Sequence, residues 1–201
     1  MEKTIKNYYK LTIFIILLES LIIFGTIYLY RVFDSQFTLM LIQNISYLIS
    51  LVCVLLGIKI SHIPFDKFGL FSHSLFKQIS IGILGGFALL LFFKGLSFLP
   101  LSFNIYLILS QILVTFTEEM LFRGFLFTMI YEISKSKAKS IIVSSIIFGI
   151  YHYPLGHDIV QVISTSIIGL IYSGLRSVYF KTDKEIGIIP LTIFHWINNI
   201  F

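Results

Sequence analysis

Apolar runs separated by short basic segments set the pattern of this chain. Seven runs stand out, at roughly 11–30, 37–58, 78–99, 103–131, 140–153, 159–180 and 186–201, the fifth and seventh being short. A bilayer core is crossed by about 20 apolar residues in a helix, and lipid tolerates no unpaired backbone polar groups, so each run reads as a helix. The segments between them test the count. Lys3, Lys6 and Lys10 precede the first run; Lys59, Lys67 and Lys77 lie between the second and third. Lys135, Lys137 and Lys139 separate the fourth from the fifth, and Arg176, Lys181 and Lys184 fall at the sixth-to-seventh junction. Twelve of the fifteen basic residues therefore alternate sides, three to a segment. Basic residues concentrate in cytoplasmic loops. The pattern predicts an all-α, polytopic membrane helix bundle of about seven transmembrane helices, with its N-terminus in the cytoplasm.

Composition agrees. Of 201 residues, 57% are hydrophobic and 12% charged, about half the charge a soluble surface carries. The net charge of +5 belongs to the topogenic loops, so no nucleic-acid partner is expected; the lipid bilayer is the partner the chain requires. One cysteine, Cys53, excludes an internal disulfide framework. Twelve lysines against three arginines, with abundant Ile and Phe, suggest a low-GC genome and an integral protein of a bacterial cytoplasmic membrane.

Against this background the stretch TFTEEMLFRGF, residues 115–125, is anomalous, because it sets Glu118, Glu119 and Arg123 inside the fourth run. Each ionised group at mid-membrane costs roughly 2.5–3.5 kcal/mol on the insertion scale. Glu119 and Arg123, four apart, share a helix face and can offset one another. Glu118 is turned about 100° away from Glu119 and needs another reason to be there. Two further spans carry polar groups: IIFGIYHYP places Phe148 and His152 one turn apart, and FHWINNIF places His195 and Asn199 on one face. At 1.5 Å per residue, Glu118 lies roughly 25 Å from Lys135, His152 roughly 20 Å from Lys139, and His195 and Asn199 roughly 15 and 21 Å from Glu185. Groups from three helices thus reach a similar depth, where one polar cavity can hold them.

In order, EEMLFR is EExxxR, FGIYH is FxxxH and HWINN is HxxxN. With these motifs the sequence resembles the CPBP intramembrane protease family, which includes CAAX prenyl endopeptidases and Abi-like, bacteriocin-immunity-related proteins. The resemblance runs from about residue 110 to the end. It divides the chain into residues 1–102, an N-terminal three-helix membrane region with no assigned role, and 103–201, a catalytic membrane core. It implies an intramembrane endopeptidase acting on membrane-associated peptides or proteins. Burial in a low-dielectric cavity strengthens a carboxylate as a base, so Glu118 is expected, with His152, to activate water. His195 and Asn199 are expected to donate to the oxyanion, Glu119 and Arg123 to tune the site, and Phe148 to form a wall.

A metal alternative stays open. Glu118, His152 and His195 match the His2Glu ligand set of catalytic zinc sites, although HExxH is absent and the residues come from three helices. The metal-free glutamate-type enzyme is preferred, with Zn2+ as the alternative cofactor. A non-catalytic scaffold or bacteriocin-immunity protein could use the same cavity for binding, and a transporter could use the same acids and histidines as a relay. CAAX processing needs prenylated proteins, which a bacterial host would lack, so a signal peptide, a bacteriocin-like peptide or a membrane protein fragment is expected as substrate instead. Of the remaining polar residues, Glu19 is a lone acid in the first run. His62 and His73 are expected in solvent, and His157 and Asp158 at a helix start. Pro190 is expected to kink or open the last helix.

Overall fold

The computed structural model describes residues 2–70, 74–94, 105–156, 158–182 and 186–200, with no strand among them. The helices are α1 (Glu2–Val32), α2 (Gln36–Ser61), α3 (Leu75–Lys94), α4 (Ile105–Glu119), α5 (Phe127–Ser134), α6 (Lys137–Gly156), α7 (Ile159–Thr182) and α8 (Ile188–Ile200). A π-helical segment, Met120–Leu126, joins α4 to α5 without a break. Among the described residues these make seven rods, matching the seven apolar runs. Stretches Lys3–Val32, Gln36–Ser61, Leu75–Phe92 and Ile159–Val178 are long and apolar enough to cross a membrane. The α4–α5 rod interrupts its own apolar sequence with the three charges. The bundle presents apolar side chains outward, Leu21, Leu84 and Phe92 among them, as a protein solvated by lipid does. With spans of this length, that apolar surface marks an integral membrane protein.

Lipid supplies no hydrophobic drive between helices, so close packing and internal hydrogen bonds hold such a bundle together. Two seams rely on small residues. Across α3 and α8, a Cβ on Gly82, Gly85 or Gly86 would come within 2.8, 2.5 and 2.7 Å of Ile193, Phe194 and Ile197. Across α6 and α7, a Cβ on Gly149 would lie 2.6 Å from the Val162 carbonyl, and Ser144 and Ser145 bond Ser173 at 3.1 and 3.3 Å. The apolar centre, with Phe68, Met120, Phe122, Phe125 and Phe148 buried, forms around the π-helical segment.

The α2–α3 connection folds back onto this centre. A short 3-10 turn, Phe65–Phe68, ends at Gly69, whose φ of 82° is left-handed, a conformation glycine adopts at little cost. The Gly69 carbonyl accepts the first amide of α8, from Ile188, at 3.0 Å. Arg176 closes the arrangement: its Nε donates to the Arg123 carbonyl at 3.2 Å and its Nη2 to the Lys67 carbonyl at 2.8 Å. Here the structure corrects the sequence reading. Arg176 does not belong to a basic loop; it is fully buried within α7. Its spacing from Lys181 and Lys184 hid the difference. Asp158 behaves as expected, its Oδ1 accepting the Val160 amide at 2.9 Å. Pro190 sits in the first turn of α8, where an absent N–H leaves no intrahelical bond unmade. His62 is exposed at the end of α2; His73 and His157 lie outside the described residues.

Candidate active site

Glu118 and Glu119 are the last two residues of α4, at the point where the helix widens into its π-helical segment. Such segments relax the 3.6-residue register and recur at functional sites. Arg123 reaches back from this segment, its Nη1 donating to Glu119 Oε1 at 3.0 Å, with both side chains fully buried. Nε and Nη2 of Arg123 have no hydrogen-bond acceptor among the described residues. Aromatic rings surround the guanidinium instead: its centre lies 4.1 Å from the Phe148 ring, 5.3 Å from Tyr172 and 6.0 Å from Phe122. The π faces supply the negative potential that further acceptors would otherwise provide.

His195 of α8 stands between the two glutamates. Its Nδ1 is 3.0 Å from Glu119 Oε1, and its Nε2 is 3.6 Å from Glu118 Oε2. Glu119, paired with Arg123, is an acceptor, so Nδ1 of His195 must carry a proton. The other distance exceeds direct hydrogen bonding. Glu118 is buried and held from a third direction, since the Tyr47 hydroxyl of α2 donates to its Oε1 at 2.6 Å. One carboxylate oxygen is thereby anchored, and the other faces His195.

His152 joins the cluster through rings. It lies 4.6 Å from Phe148 and 5.9 Å from Tyr151, while Phe148 is 6.0 Å from His195. Its Nδ1 is 2.8 Å from the Phe148 carbonyl. A carbonyl only accepts, so this bond places the proton on Nδ1 and leaves Nε2 of neutral His152 with a lone pair. Phe148 is buried and thus touches Arg123, His152 and His195 at once. Asn199 is more peripheral: exposed, with Nδ2 donating to Gln111 Oε1 at 3.2 Å, two turns before Glu118 on α4. Trp196 Nε1 donates to the Ile108 carbonyl at 3.0 Å, so two bonds tie α8 to α4 beyond the histidine.

The motif residues thus fall into one linked group: Glu119 bonds Arg123 and His195, Glu118 lies 3.6 Å from His195, and His152 joins through Phe148, while Asn199 is exposed and bonded to Gln111. Sequence reasoning missed Tyr47, Tyr172 and Arg176, which no motif marks. As to a metal, no three His, Cys, Asp or Glu side chains among the described residues converge as a metal-holding group. Nδ1 of His195 and of His152 each bond another acceptor, which leaves Nε2 as the nitrogen open to water, substrate or a metal.

Comparison with known proteins bears on the same part of the chain. A family model described as type II CAAX prenyl endopeptidase Rce1-like matches residues 100–201. No curated protein and no solved structure matches.

Proposed function

The chain belongs to the Rce1-like type II CAAX prenyl endopeptidase family and is a membrane endopeptidase of that kind; from this premise we propose that it cleaves membrane-associated peptides by a metal-free, glutamate-based hydrolysis centred on Glu118. The observation that carries the proposal is the division of labour between adjacent carboxylates. Glu119 is consumed by Arg123 and His195, whereas Glu118 is fixed by Tyr47 at one oxygen and turned toward His195 with the other.

Charge balance assigns the histidines. Glu118, Glu119 and Arg123 leave one negative charge uncompensated in a buried site, an arrangement that costs several kcal/mol. A proton on both nitrogens of His195 brings the group to neutrality and makes Nε2–H a donor. His152, bonded through Nδ1–H to a backbone carbonyl, stays neutral and presents Nε2 as an acceptor. In the proposed reaction a water gives up a proton to Glu118, with His152 accepting its second hydrogen bond. The water oxygen attacks the scissile carbonyl. The oxyanion takes hydrogen bonds from His195 Nε2–H and from Asn199, whose amide exchanges Gln111 for the substrate. The tetrahedral intermediate then expels the amine as Glu118 returns the proton to its nitrogen, so the carboxylate is regenerated. General-base catalysis of this type contributes typically 10²–10⁴-fold, and a single oxyanion donor about 10²–10³-fold.

The test replaces Glu118 by Gln and, separately, His152 by Ala, and follows membrane insertion together with cleavage. The expected result is two inserted, folded and inactive proteins. Full biological function in both would refute catalysis and leave the cluster as a binding pocket.

A further inference from the structure

The catalytic group leaves one buried acid unused. Glu19 of α1 is 3% exposed. The Ser50 hydroxyl of α2 donates to its Oε2 at 2.6 Å, while Oε1 has no hydrogen-bond partner among the described residues. Ser50 lies three residues beyond Tyr47, on the same side of α2, so one helix face holds both Glu19 and Glu118. Glu19 lines a cavity of about 180 Å3 between α1, the π-helical segment and α6, whose walls are otherwise mainly apolar, Leu121, Leu126 and Ile147 among them. Tyr151, which adjoins His152 in the site, also lines it. Phe24 and Ile150, both strongly exposed, border the cavity on the bundle surface.

We propose that this cavity is a substrate subsite that takes a lysine side chain, with Glu19 Oε1 receiving its ammonium group. An apolar cavity of roughly 150 Å3 accepts a benzene-sized guest, so the space suits a side chain more than a single water. The mostly apolar wall with one carboxylate at depth matches a methylene stem ending in a cationic donor. Because Ser50 already occupies Oε2, a single oxygen remains. That arrangement suits the point charge of an ammonium and denies a guanidinium its bidentate pairing. The pairing also removes the cost of an uncompensated buried carboxylate, which an empty cavity leaves in place. The amine site stands on this geometry, and its use as a substrate subsite rests on the hydrolytic reading above.

The experiment has two arms on the purified full-length protein. In the first, thermal unfolding is followed with n-butylamine, which reproduces the lysine side chain, and with n-butanol, which lacks the charge. Wild type should show a saturable rise in Tm with the amine and none with the alcohol. Glu19→Gln should abolish that rise, and so should Ile150→Trp, which plugs the cavity from its exposed border and serves where the first variant folds poorly. An equal rise in wild type and both variants, or no rise at all, overturns the site. In the second arm, quenched fluorescent peptides that differ only by Lys or norleucine at each position flanking the cleaved bond are compared. The Lys-to-norleucine ratio of kcat/KM should exceed one at a single position in wild type and fall at least tenfold in Glu19→Gln. Equal cleavage of both peptides at every position by wild type overturns the subsite. Failure to cleave any peptide, alongside an intact amine-dependent rise, refutes the hydrolytic reading and leaves the amine site standing.

Discussion

Replacing Arg123 by Met should damage folding before chemistry. The guanidinium is fully buried, 3.0 Å from Glu119 Oε1, and enclosed by Phe148, Tyr172 and Phe122. Methionine fills much of the same space but strands Glu119, leaving it only the His195 contact. Removal of one member of a buried pair costs about 3–5 kcal/mol, a shift of two to three orders of magnitude or more in the folded population. Lysine at the same position keeps the charge and loses the planar contact with the rings, worth about 2 kcal/mol when desolvated, so Arg123→Lys should fall between the two. The double variant Arg123→Met with Glu119→Gln removes both charges and should recover part of the Arg123→Met loss. Equilibrium unfolding in mixed micelles reads these differences through the one tryptophan, Trp196, which bonds Ile108 on the facing helix. Arg123→Met within about 1 kcal/mol of wild type, or a double variant less stable than the single, would refute the role of the pair.

Gly69→Ala should destabilise by about 1–3 kcal/mol, since φ is 82° and the new Cβ would lie 2.7 Å from Arg176 Cζ; a melting curve measures it. Gly149→Ala should cost about 1–3 kcal/mol by forcing α6 from α7, because the Val162 carbonyl cannot turn away as the Ser166 hydroxyl can. Gly174→Ala, with nothing within 4 Å of its Cβ, should be neutral or stabilising by a few tenths of a kcal/mol in the same assay. Chelator treatment of the purified enzyme should leave activity unchanged, and recovery by zinc after stripping would overturn the metal-free proposal.

Charges in an apolar chain are conspicuous, and that is why much of the site was legible. Glu118, Glu119 and Arg123 stand out because burial makes them costly, and the depths of His152 and His195 pointed to a common level. Hydroxyls carry no such signal. Tyr47 and Ser50 sit in apolar spans at little cost, and only the folded structure shows that each donates to a buried carboxylate. Arg176 misled in the opposite sense, because a basic residue five positions before Lys181 looks like part of a loop. Its partners, the carbonyls of Arg123 and Lys67, are backbone groups with no sequence signature. The π-helical segment was likewise silent, since Met120–Leu126 reads as ordinary helix. The N-terminal helices acquire tasks that periodicity could not reveal. The α3 glycines let α8 approach closely, α2 fixes Glu118, and α1 brings Glu19 to the wall beside the site.

The central claim is that Glu118 makes water the nucleophile at a peptide bond. Cleavage in H₂¹⁸O, with mass spectrometry of the products, tests it most directly. Wild type should form a new C-terminal carboxylate carrying one ¹⁸O per turnover, and inserted, folded Glu118→Gln should form none. Label incorporation by Glu118→Gln at the wild-type rate would contradict the account.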